Sequence, residues 1–230
     1  MGDLIAKTVP LAIGGAVSPI LVITVVLLLS GTRAPRARAL AFAVGNVIAL
    51  ILVAVAVLLL FHSAGHTGTG TTKAGKLIDL ILGVLLIAMG VGKLFEFGYR
   101  KLSHGAESAG PDAEGDHPSG GKGGVLGSSA LGVGLMATNL TTIALFLAAM
   151  KDVAEAKVAN GARIVVVAMT IVIIMVPVAV PLLITVVIPG LSTRVLAAVR
   201  TFITRYRDLI MGIFVTGFGV YLAIKGAGGG

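Results

Sequence analysis

The chain has no cysteine in its 230 residues, which excludes disulfides, thiolate metal sites and electron relays that run through thiols. Charge is scarce as well. Only 12% of residues are charged, about half the share of an ordinary soluble domain. No Gly-rich phosphate loop of the Walker kind occurs, so no nucleotide hydrolysis, and no enzymatic activity, is expected of this chain; work would draw on a gradient or on a partner. The four histidines, His62, His66, His104 and His117, fall in expected loops or at a helix end. The membrane interior is therefore expected to lack the His/carboxylate cluster of a transition-metal permease, and neither metal nor other cofactor is expected.

What the chain does have is apolar length. Hydrophobic residues make up 57% of it and the mean hydropathy is strongly positive. At roughly 20 residues per helical span, six segments are predicted: 4–29, 37–61, 77–97, 125–150, 164–188 and 209–224. With no water in hydrocarbon to satisfy backbone groups they must be helices, because the alternating pattern of a membrane barrel is absent. The first segment lacks the basic flank and short apolar region of a cleaved signal peptide. Gly2 opens no myristoylation motif, since Ala6 stands where Ser or Thr is needed.

The second half repeats the first. Asp79-Leu80-Ile81-Leu82-Gly83, followed by Gly90-Val91, returns at a constant offset as Asp208-Leu209-Ile210-Met211-Gly212 and Gly219-Val220. A weaker echo pairs Gly14 and Ser18-Pro19 with Gly134 and Thr138-Asn139. Each unit thus holds three spans, and because three is odd the second must enter the bilayer with opposite polarity. The expected architecture is all-α: six transmembrane helices in two inverted-topology three-helix repeats, 1–102 and 125–230, an arrangement found mainly in transporters. Between them, 103–124 is rich in Gly, Ser and acidic residues and has almost no apolar content, so it reads as a flexible linker.

Basic residues in the short loops set the orientation. Arg33, Arg36, Arg38, Arg100, Lys101, Lys122, Arg194, Arg200, Arg205 and Arg207 collect on one face; Lys7, Lys73, Lys76, Lys151, Lys157, Arg163 and Lys225 lie on the other. The positive-inside rule then puts both termini outside a bacterial inner membrane. The formal net charge of +8 is spread over these loops, which points to anionic membrane lipids and away from nucleic acid.

Polar residues inside the spans gather where the halves match. Ser18-Pro19 falls near the middle of the first span, where Pro removes a backbone donor and forces the chain to bend or open. Thr138, Asn139, Thr141 and Thr142 fall near the middle of the fourth. Interrupted helices at corresponding places point to a midplane substrate cavity; helix kinking and interhelical hydrogen bonding are the competing reading. Asn46 in the second span and the Pro177/Pro181 pair in the fifth are expected to line the same cavity, the prolines as a hinge or a plain kink. Asp79 and Asp208, each placed in the first turn of its helix, are candidates for proton coupling or for a simple dipole-capping role. The Gly83/Gly90 and Gly212/Gly219 spacings are expected to bring helices close together.

This layout, with its central Pro step, Arg-bearing loop, Gly-rich third helix, linker, and Asn139-Leu140-Thr141-Thr142-Ile143-Ala144-Leu145-Phe146 in the fourth helix, resembles the LysE exporter superfamily. Within it the chain looks most like the actinobacterial glycopeptidolipid- and sulfolipid-addressing family. The amino-acid exporters tend to have Asn-Pro-Lys where this chain has Asn139-Leu140-Thr141, and Pro-Gly-Pro where it has Val17-Ser18-Pro19. Those differences fit a bulkier or less polar substrate. The resemblance implies an inner-membrane exporter of a cell-envelope lipid or glycolipid by alternating access. Two other readings stay open: a gradient-driven exporter of a small solute such as an amino acid, and a non-transporting scaffold docking lipid-synthesis or lipid-export proteins. Homo-oligomerisation is open too.

Overall fold

The computed structural model describes residues 1–31, 34–63, 73–102, 124–187 and 192–227. Among them the chain forms eight helices and no strand: α1 Gly2–Ala16, α2 Pro19–Leu29, α3 Pro35–Ser63, α4 Lys73–Leu102, α5 Val125–Thr138, α6 Leu140–Glu155, α7 Asn160–Val187 and α8 Ser192–Gly226. The expected linker lies outside the described residues apart from Gly124.

Four stretches are long and apolar enough to cross a membrane on their own: Pro35–His62, Lys76–Leu94, Asn160–Thr185 and Leu209–Gly226. The first and fourth expected spans each form two helices with a sharp bend between them, the geometry of a broken span or of a re-entrant turn. α1 and α2 meet at 53°, and α5 and α6 at 73°, so counting each bent pair as one span brings the total to six. Between 22% and 39% of the residues in the four unbroken spans are buried within the chain. The remaining apolar surface, including Leu52, Leu59, Val172 and Leu183, has to meet lipid, and the protein is a multi-pass membrane protein.

Two corrections follow from helix length. α8 begins at Ser192, so the segment carrying Arg194, Arg200, Arg205 and Arg207 continues the last span as helix where a loop was expected. Asp208 is therefore more than four turns into α8, and Asp79 nearly two turns into α4; neither is in a first turn, which removes the capping explanation. The side chain of Asp208 is outside the described residues. α7 runs unbroken through Pro177 and Pro181. Its end is held by α3, where the Arg36 guanidinium donates to the Thr185 carbonyl at 3.0 Å, a group whose helical donor would have to come from Pro189, which has none.

The closest packing follows the glycines. A Cβ on Gly83 would lie 2.5 Å from the Ala223 nitrogen, one on Gly219 2.6 Å from the Ile87 nitrogen, and one on Gly226 2.5 Å from the Leu80 nitrogen. α4 and α8 thus touch backbone to backbone along a seam that no larger residue fits, as the spacing had suggested. Gly45 and Gly132 do the same for α3 against α5, meeting the Ser129 and Phe42 backbones. Gly219→Val is expected to destabilise the bundle by about 2 kcal/mol or more through overpacking. Gly92→Ala, at a site with nothing within 4 Å, is expected to be neutral or slightly stabilising; reversible unfolding in mixed micelles compares the two.

Candidate functional site

Proline chemistry starts the site. In an uninterrupted helix the Gly15 carbonyl would accept from the nitrogen four residues on, but that residue is Pro19, which has no N–H. α1 therefore stops at Ala16 and α2 restarts with Pro19 in its first turn behind an extended Ser18, the position where proline is preorganised for a helix start. The stranded Gly15 carbonyl is satisfied from the other half of the chain, by the Thr142 hydroxyl at 2.9 Å.

The second break answers the first. Asn139 separates α5 from α6 and caps α6, its side-chain oxygen accepting from the Thr142 nitrogen at 3.4 Å, a role for which Asn is among the best residues. Its amide nitrogen donates to the Ser18 hydroxyl at 2.7 Å. The two interrupted spans thus cross break to break, in a four-residue polar knot of Gly15, Ser18, Asn139 and Thr142. Thr141 is buried nearby in the first turn of α6. Thr138 is exposed and bonds back to the Gly134 carbonyl of its own helix. Pro19 and Pro181 are buried and Pro177 is half-buried in α7. Asn46 is fully buried on a different contact, its backbone beside Gly132 of α5 and its amide nitrogen donating to the Phe42 carbonyl at 2.8 Å. Its side-chain oxygen is buried without a partner.

Near the end of the bundle that carries both termini, α4, α6 and α8 bring four charges together. Lys151 pairs with Asp79, and Lys225 chelates Asp152 at 2.6 Å to both carboxylate oxygens. The two longer sides close the figure, Lys225 to Asp79 at 3.7 Å and Lys151 to Asp152 at 3.8 Å. Each lysine therefore lies between two aspartates and the set is neutral, the condition under which charges persist in a low-dielectric interior. Asp79 and Lys151 are 1% exposed. A cleft of about 290 Å³ reaches the network, with Asp152, Glu155 and Lys225 in its wall.

Of these four residues, sequence reasoning named Asp79 as a candidate site residue and assigned Lys151 and Lys225 to loops. A signal was present. Lys151-Asp152 follows the apolar run 140–150 with no Gly or Pro between, so nothing ends the helix before Glu155.

These features define a class: a multi-pass helical membrane protein built round two bent helix pairs whose breaks meet, with a buried ion network at one end. The chain belongs to the family of Sap, the sulfolipid-1-addressing protein, whose family model matches residues 8–228. No curated protein and no solved structure matches it.

Asp79→Ala leaves buried Lys151 and partly buried Lys225 sharing Asp152 and is expected to cost about 3–5 kcal/mol. Adding Lys151→Leu to Asp79→Leu leaves the Asp152–Lys225 pair intact, so the double variant should be more stable than Asp79→Leu alone. A double-mutant cycle on unfolding in micelles measures this.

Proposed function

We propose that this protein is an inner-membrane exporter of a cell-envelope lipid or glycolipid, working by alternating access between two inverted three-helix units, 1–102 and 125–230. The observation that carries the reading is the crossing of the two broken spans, Asn139 on Ser18 and Thr142 on the Gly15 carbonyl. Discontinuous helices paired in this way present backbone and amide groups at membrane depth without leaving them in contact with lipid.

Several helix contacts support the two-unit arrangement: α2 with α7 is mirrored by α6 with α3, α2 with α8 by α6 with α4, and α1 with α7 by α5 with α3, whereas the close contact of α1 with α6 has no comparable α5–α2 partner. Rocking of one unit on the other exchanges these contacts, and α7 can flex where Pro177 and Pro181 leave carbonyls without helical donors. Ser18, Asn139, Thr141 and Thr142 line the substrate path in one conformation, with Asn46 and the prolines of α7 flanking it. Asp79 and Asp208 carry the coupling protons.

Lipid is favoured over a small solute by the family, named for a sulfolipid-addressing protein, and by the sequence motifs that set the chain beside the LysE exporters yet lack the amino-acid exporters' Asn-Pro-Lys step. Orientation with both termini outside rests on the cations at the other end, among them Arg33, Arg36, Arg38, Arg100 and Lys101. In this reading the chain moves its substrate without altering it chemically. Anionic lipids surround it, and lipid-synthesis or lipid-export proteins on the cytoplasmic side hand the substrate over.

Deleting the gene is expected to remove one lipid class from the outer envelope while that class accumulates in the cell-associated fraction, as read by mass spectrometry of the two extracts. Complementation with Pro177→Ala/Pro181→Ala, at matched protein level, should restore export only partly, since straightening α7 returns its hydrogen bonds and removes its flexing point. An unchanged lipid profile on deletion overturns the proposal.

A further inference from the structure

Two cavities lie one above the other along the contact between α1 and α8, and they differ completely in chemistry. The deeper is an apolar groove of about 280 Å³ lined by Pro10, Ile213, Phe214, Gly217, Phe218 and Tyr221. The shallower is the polar cleft of about 290 Å³, which adds Asp3, Lys7 and Lys157 to Asp152, Glu155 and Lys225. α1 and α8 contribute to both, and α6 with the residues that follow it completes the cleft. On α1, Lys7 belongs to the cleft and Pro10, one turn on, to the groove; on α8, Lys225 belongs to the cleft and Tyr221, one turn back, to the groove.

Dimensions and charge indicate what fits. At 1.5 Å per residue, Ile213 to Lys225 covers about 18 Å, close to the half-thickness of a hydrocarbon core of about 30 Å. The floor of the groove is the Phe218 ring, seated on Gly14, where a Cβ would come within 2.5–2.7 Å of the ring atoms. Gly217 keeps the groove open, because a Cβ there would meet nothing within 4 Å. In the cleft, Lys225 is already held by Asp152, whereas Lys7 and Lys157 are exposed and take part in no ion pair among the described residues. Among the exposed side chains of the cleft the two ammonium groups of Lys7 and Lys157 face the one carboxylate of Asp3, Glu155 being buried in the wall, so a head of negative charge is favoured at its mouth.

We propose that the α1–α8 contact is a binding site for an anionic lipid, one acyl chain lying in the groove beside Gly217 and Phe218 and the acidic head held in the cleft by Lys7 and Lys157. It is a site separate from the crossing of the broken spans. As a station on an export path it rests on the lipid-export reading, but binding itself is a property of the purified chain. Under the orientation with both termini outside, the site opens to the outer leaflet, where a transported lipid would be released.

The chain has no tryptophan, so Tyr221→Trp supplies a single fluorescent reporter at the junction of groove and cleft. The full-length variant is placed in nanodiscs of phosphatidylcholine containing a minor fraction of either brominated phosphatidylglycerol or brominated phosphatidylcholine. Quenching several-fold greater with the brominated phosphatidylglycerol is expected. That excess should disappear with Lys7→Gln/Lys157→Gln, which alters exposed side chains, and fall with Gly217→Leu, which fills the groove. Equal quenching by the two lipids overturns the site. So does an excess that survives both variants, or displacement of the lipid by millimolar glycerol 3-phosphate, which would make the cleft a simple anion site with no part for the groove. Deletion of the gene separates the two proposals: selective quenching by a protein whose deletion leaves envelope lipids unchanged upholds the site and removes the exporter, and absence of selectivity in a protein whose deletion does change them does the reverse.

Discussion

Inside a bilayer no water stands ready to accept a freed backbone hydrogen bond, and this chain interrupts two of its apolar helical stretches. Pro19 strands the Gly15 carbonyl, and Asn139 opens the turn at the start of α6. Each break supplies what the other needs. Thr142, held in place because Asn139 caps its nitrogen, donates its hydroxyl to Gly15, and the other end of the Asn139 amide reaches Ser18. A single break would leave a polar group unpaired at a cost of several kcal/mol. Two that meet leave the knot closed, and the pairing fixes how α1 and α2 stand against α5 and α6.

The rest of the bundle is arranged round that crossing by two short-range devices. Glycines let α4 and α8 lie backbone against backbone, and the same approach places Asp79 of α4 near Lys225 of α8. Lys151 and Asp152 of α6 then complete a neutral square among three helices. Its value is positional. A buried ion set contributes little net stability over apolar packing of the same volume, but removal of any member is costly, so α6 is held at one depth and one rotation relative to the α4–α8 pair. The polar cleft opens beside this square, and the apolar groove continues from it along α8. Polar and apolar surface therefore succeed each other along one helix contact in the order in which a lipid's head and chain cross a leaflet.

Much of this is written locally. Apolar run length specifies spanning helices, Pro19 specifies a break whatever surrounds it, and the seven-residue glycine spacing marks a face of close approach. Asn139 could be read as an interruption because it sits among threonines in the middle of a long apolar stretch. Other features were misread for an identifiable reason. An apolar run was ended at its first charge, which put Lys151 and Lys225 in loops, placed Asp79 and Asp208 in first turns, and started the last span at Leu209, although the helices continue past all of these points.

Hydrophobic length, missing donors and absent side chains are properties of one stretch of chain, so the sequence by itself determined that this is a helical membrane protein, where its spans break and which faces pack tightly. Whether a charge can stay inside depends instead on what other helices bring to the same depth. Asp79, Lys151, Asp152 and Lys225 come from three helices spread over most of the chain, and each would be too costly to bury alone. Only the tertiary structure, by collecting the four within salt-bridge distance, decided that they belong to the interior, and by bringing α1, the end of α6 and α8 together it decided where the polar cleft meets the apolar groove.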